Sequence, residues 1–127
     1  MRTVLPAVAL TLLASSALAD SDGAFTNAGR FMERDGEAVY RHICQGCHMP
    51  SGQGAVGAGT YPALARDRKL ATSGYPLAIV LNGQKGMQGF ARMMNDAQIA
   101  AVVNYVRTHF GNAYSDAVTE ADVKAAR

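Results

Sequence analysis

No stretch of this sequence is both long and apolar enough to cross a membrane. The longest apolar run, Val4–Ala14, falls well short of the ~20 residues that a span needs. Neither sign of charge dominates, with twelve Lys and Arg against ten Asp and Glu, and that balance argues against nucleic acid as a partner. Internal repeats are absent, and no alternation of apolar and polar residues runs beyond a few positions, which leaves no basis for a sheet-built fold. Cysteine occurs only at Cys44 and Cys47, too seldom for the disulfide frameworks of small secreted domains.

What is present begins with a leader. Arg2 gives a positive start, Val4–Ala14 an apolar centre, and Ala17-Leu18-Ala19 a small-residue cleavage site before Asp20, so residues 1–19 read as an export signal. No cysteine stands at that point to take a lipid, and no twin-arginine pair precedes it. The expectation is a periplasmic chain exported unfolded. Without Arg2 it carries eleven basic and ten acidic side chains, a net of +1, and a chain of about 100 residues buries one modest core.

Residues 20–34 read as a small, polar N-terminal extension. From Glu33 the spacing becomes helical, with Gly36, Tyr40, Ile43 and Cys47 three or four apart and charges between them. Gly and Pro then crowd MPSGQGAVGAGTYPAL (49–64), an ordered loop. Its GQGAVG matches a phosphate-cradling G-x-G-x-x-G, but the strand and helix that such a fingerprint needs on either side are missing. Tyr75–Leu81 predicts a short helix with Pro early and Asn82-Gly83 at its stop. Gln84–Met94 reads as irregular and holds three of the six methionines. Asn95 as cap, with Asp96 and Gln98 behind it, opens the longest helix. Its apolar stripe is Ile99, Val102, Val103, Val106 and Phe110, closed by Gly111-Asn112. Thr119–Ala126 reads as a short surface helix. The fold class is all-α, organised as a domain over 35–112 and a tail over 113–127.

ICQGCHMP (43–50) carries the chemistry. Cys-x-x-Cys-His is the attachment signature of c-type haem: two thiols one helical turn apart add to the two vinyl groups of one porphyrin, and His48 is carried under the iron. A redox dithiol needs a βαβ setting that this chain lacks, and zinc needs a further thiolate or a suitably spaced histidine. His42 and His109 read as helix-surface histidines. A structural disulfide between Cys44 and Cys47 is the blander alternative. The second axial position is open or is filled by a histidine or a methionine: Met87, between Gly86 and Gly89 in GMQGF, is the first candidate and Met93 the fallback.

Residues 35–112 resemble the small class I, monohaem cytochromes c of bacterial periplasms. DGEAVYRHICQGCH is similar to their N-terminal helix and haem motif, GMQGF to their Gly-Met-Pro-x-Phe ligand loop, and NDAQIAAVVNYVR to their C-terminal helix. The resemblance implies a fold of three to five helices wrapped around one covalently attached haem c. It implies Cys44 and Cys47 as the thioether residues, His48 as proximal ligand and Met87 as distal ligand. It also implies that the Pro62 carbonyl accepts the other N–H of His48, and that Gly36 and Tyr40 cross the C-terminal helix near Val102 and Tyr105. Gln88 departs from the family's usual proline, which predicts a less rigid ligand loop. Across GAGTYPALARDRKL and MMNDAQIAAVVNYVRTHFGNAYSDAV the chain resembles cytochrome subunits of periplasmic sugar and alcohol dehydrogenases.

An iron with both axial positions filled exchanges electrons and binds no substrate. The implied function is therefore electron transfer, not enzymatic catalysis. The redox partners are a dehydrogenase or quinol-oxidising complex and an oxidase or other cytochrome, with Lys85 and Arg92 as a local basic rim or as two solvated charges. The alternative is a haem protein with an open distal site, doing peroxidase or gas-binding chemistry.

Overall fold

The computed structural model describes residues 31–127. The expected leader and most of the expected extension lie outside the described residues. Helix α1 (Gly36–Val39) starts three residues later than the periodicity predicts, because the Asp35 carboxylate accepts from the Ala38 N–H at 2.8 Å and caps the helix there. It runs into one π-helical turn (Tyr40–Cys44), closed by the Gln45 N–H on the Tyr40 carbonyl, and then into α2 (Gln45–His48). The cysteine motif therefore ends a helix, as its spacing predicts, but the π turn shifts the helical phase just before it.

Two short hairpins follow. The first pairs β1 (Ala55–Val56) with β2 (Thr60–Tyr61) and takes in the end of the G-x-G-x-x-G segment (52–57); no βαβ unit frames it among the described residues. A 3₁₀ turn (Arg68–Ala71), capped by Asp67, leads to α3 (Gly74–Asn82). The second hairpin pairs β3 (Gly83–Gln84) with β4 (Met87–Gln88), within the stretch that reads as irregular. Helix α4 (Asp96–Thr108) opens with the predicted capping box, Asn95 and Gln98 bonding each other's backbone N–H at 2.9 Å. It ends two residues before Phe110. His109 is extended and stacks on Tyr105 with ring centroids 4.0 Å apart, and Phe110 turns left-handed (φ 59°) so that its ring meets Tyr40.

The core lies where α1 crosses α4. A Cβ on Gly36 would stand 2.7 Å from Tyr105 Cβ and 2.8 Å from the Ala101 carbonyl carbon, so only glycine allows this approach. Val39, Tyr40, Ile99, Val102 and Val103 are buried around the crossing, with Leu77 and Leu81 of α3 beside them. Gln98 ties the incoming chain to α4 by donating to the carbonyls of Phe31 and Glu33 at 2.8 and 2.7 Å.

The division expected at 112 is no seam. Val118 and Val123 belong to the same core, the latter on α5 (Glu120–Ala126), whose cap is a Thr119/Asp122 box. Asn104 bonds both the carbonyl and the N–H of Val118 at 2.8 Å. Arg107, with none of its surface exposed, donates to the carbonyls of Leu70, Ala71 and Asp116 and to the Asp116 carboxylate. Arg107 continues the Ile99, Val103 row at i+4, a place on the apolar face that sequence reasoning missed. No helix among the described residues is long and apolar enough to cross a membrane.

Candidate functional site

Both thiols are free, so the disulfide alternative does not hold in this fold. Cys44 is largely covered and Cys47 exposed. Burial, and then the neighbouring Cys47, pushes the Cys44 thiol up to about 12. A thiol raised in this way is the opposite of the lowered thiolate that a redox dithiol uses. Among the described residues no three of His, Cys, Asp and Glu gather into a cluster that suits a metal ion held by side chains alone.

His48 closes α2 and is buried, at 7% exposure. Its Nδ1 lies 2.9 Å from the Pro62 carbonyl, the hydrogen bond that the resemblance implies. That bond makes Nδ1 the protonated nitrogen and leaves Nε2 with a free lone pair. Among the described residues, Glu33 Oε2 is the one fully buried side-chain N or O atom without a partner. Among the described residues nothing hydrogen-bonds Nε2 of His48. A buried imidazole with one nitrogen fixed on a carbonyl and the other bare fits an axial iron ligand, because the fixed bond sets the ring's orientation and basicity.

Met87 sits on β4 and packs, half-buried, against the core. The turn before it is Lys85-Gly86, with Gln84 opposite Met87 and Gly83 opposite Gln88. Gly83 is left-handed (φ 76°), and a Cβ there would reach the Gly89 nitrogen at 2.6 Å. The loop is therefore held by pairing and close backbone contact. Gln88 lies in a hairpin whose strands, two residues each, are too short to leave an alternation in the sequence. Phe90 and Ala91 extend the contact by donating to the carbonyls of Val80 and Leu81 at 2.8 and 3.2 Å.

Met94 is buried in the core, just ahead of the Asn95 cap. Met93 lines two clefts of about 310 and 480 Å³, beside Arg92 and Ala91. Neither cleft is lined by His48, Met87 or a cysteine. His42 is exposed and pairs with Glu33 at 2.5 Å, which holds that carboxyl below its usual range. His109 is spent on stacking and on the Tyr105 carbonyl. Sequence reasoning missed a polar role for Tyr40: its hydroxyl donates to the Met49 carbonyl at 2.6 Å. Only its place in the apolar spacing was legible.

A family profile described as cytochrome c oxidase, cbb3-type, subunit III, matches residues 32–106. The fructose dehydrogenase cytochrome subunit of Gluconobacter japonicus is 28% identical over 125 residues, covering 84% of this chain and 25% of that protein. A cytochrome c-552 of Thermus thermophilus is 35% identical over 98 residues, covering 64% of this chain and 72% of that protein. The chain thus spans a quarter of the first relative and most of the second.

Proposed function

The chain belongs to the c-type cytochrome family whose profile spans residues 32–106, and from that premise we propose that it carries single electrons in the periplasm, between a dehydrogenase or quinol-oxidising complex and a terminal acceptor such as an oxidase. Its cofactor is one covalently bound haem c, which supplies an iron that alternates between the ferrous and ferric states. In this reading residues 1–19 are the export leader, and Cys44 and Cys47 form the two thioethers. His48 is the proximal ligand and Met87 the distal one. The observation that carries the assignment is His48: buried, directly after two free thiols, with Nδ1 on the Pro62 carbonyl and Nε2 without a partner among the described residues.

The chain's own residues do three things for electron transfer. Pro62 and the 48–65 loop fix the imidazole, so that little has to reorganise when the iron changes charge. The β3–β4 hairpin brings a thioether to the core on a constrained backbone, and histidine–methionine ligation favours the reduced state. The apolar core against which Met87 packs would keep water off a group held there. Held by His48 and Met87, the iron would exchange electrons and offer no open position to a substrate. The dehydrogenase cytochrome among its relatives supports a dehydrogenase as donor, and Lys85 and Arg92 offer that partner or the acceptor a local basic rim.

The test is the visible and near-infrared spectrum of protein matured with haem, oxidised and reduced, with and without carbon monoxide. A low-spin spectrum with the weak sulfur-to-iron band, unmoved by carbon monoxide, is expected. A high-spin spectrum, or prompt carbon monoxide binding, would replace this reading with an open-site peroxidase or gas-binding protein.

A further inference from the structure

The carbonyl of Met49, the residue after His48, is held from two sides. Tyr40 Oη donates to it at 2.6 Å and the Gly52 N–H at 3.1 Å. The Gly52 carbonyl in turn accepts from the N–H groups of Leu64 and Ala65 at 2.7 and 2.9 Å. These lie just past Pro62, whose carbonyl accepts from His48. The His48 carbonyl accepts from the Gly54 N–H at 3.0 Å. These bonds close a ring from His48 through Met49, Gly52, Leu64 and Pro62 back to His48. Every member belongs to residues 48–65 except Tyr40, which enters from the helix.

Tyr40 is well placed to act as a fixed post. It is 1% exposed, with the rings of Tyr105 and Phe110 at centroid distances of 5.6 and 4.7 Å. Its backbone opens the π turn by accepting from Gln45, while its hydroxyl reaches beyond His48. One residue thus grips the Cys44–His48 segment at both ends. What it grips is strained: Met49 has φ 67°, a left-handed backbone that a side chain with a Cβ disfavours. Among the described residues Tyr40 supplies the one donor to that carbonyl from outside the 48–65 loop.

We propose that Tyr40 is a positioning residue for the proximal ligand, its hydroxyl pinning the left-handed Met49 so that the His48 imidazole keeps a single orientation toward the iron. The inference rests on the reading of His48 as that ligand. Groups that orient a ligand tune the metal's electronics as well as hold it, so the hydroxyl acts on the redox centre without touching it.

Tyr40→Phe in the haem-loaded protein removes one oxygen and keeps the ring. Phe110→Leu is the companion variant: it thins the packing around Tyr40 and leaves the hydroxyl in place. Midpoint potential, the hyperfine-shifted proton resonances of the His48 ring, and amide exchange at Gly52 and Gly54 are read for both. Tyr40→Phe is expected to move the potential and the His48 resonances and to speed Gly52 exchange by about tenfold. Phe110→Leu is expected to lower the melting temperature while leaving potential and resonances at wild-type values. Wild-type potential and resonances in Tyr40→Phe, or equal shifts in Phe110→Leu, would overturn the proposal. Failure of the underlying reading would show separately, as axial ligation that survives His48→Ala.

Discussion

Gly36→Ala should destabilise the protein although it replaces a poor helix former with the best one. Ordinary carbon–carbon contact begins near 3.5 Å, whereas the new methyl would stand 2.7 Å from Tyr105 Cβ and 2.8 Å from the Ala101 carbonyl carbon. Neither neighbour can swing aside, since one is backbone and the other is fixed to it. The crossing of α1 on α4 would have to open by most of an ångström, and overpacking of that kind costs about 3 kcal/mol. The gain in helix propensity offsets at most ~1 kcal/mol. A net loss of about 2 kcal/mol lowers the melting temperature of a domain of this size by roughly 8–16 °C. Far-UV circular dichroism on the haem-loaded protein reads this directly. Gly74→Ala supplies the comparison, because Gly74 is likewise the first residue of a helix and a Cβ there meets nothing within 4 Å. It should leave the melting temperature unchanged or slightly raised. Equal melting of Gly36→Ala and wild type would refute the claim that this crossing demands glycine.

Met87→Ala should abolish the sulfur-to-iron band and admit carbon monoxide, while Met93→Ala keeps the wild-type spectrum; the reverse pattern would transfer the distal role to Met93. Arg107→Leu strips donors from three carbonyls and leaves Asp116 without its cation, and a loss of about 3 kcal/mol is expected in guanidinium titration. Glu33 and Asp116 both titrate below their ordinary values, held down chiefly by hydrogen bonds from His42 and Arg107. Their stabilisation is therefore complete above the unfolded carboxylate range and is lost as pH falls through the lower folded values. Melting temperature should drop below about pH 4.5, less steeply in Glu33→Gln and Asp116→Asn than in wild type. Electron-transfer rate to the native partner should fall with added salt and with Lys85→Glu; indifference to both would remove the basic rim.

Features written into neighbouring residues are legible in the sequence. Cys44, Cys47 and His48 form one contiguous motif, and α4 announces itself through Asn95, Gln98 and a buried stripe. The Gly36 crossing followed from family resemblance, with Ala101 and Tyr105 as the actual contacts. What stayed hidden depends on partners distant in sequence or on small changes of phase. The π turn adds less than one residue to the helical period. The end of α4 is decided by Phe110 folding back onto Tyr40, against its own place in the apolar stripe. The bonds of Arg107 reach residues 36 or 37 positions earlier and 9 later, and no local pattern carries those separations.

The ordered segment after Asn112 bears on how such a domain is cut or joined. An excision ending at Asn112 would keep every residue of the haem motif and both candidate ligand loops. It would also strand a buried guanidinium, free both polar ends of the Asn104 amide, and remove Val118 and Val123 from the core. Arg127 would go as well, and with it the donors on the carbonyls of Ala91 and Met94 that brace the exit of the methionine loop from a distant part of the chain. As a portable module, the unit extends through α5. Protein engineers who graft it onto an electrode-linked enzyme should place their linker beyond that helix.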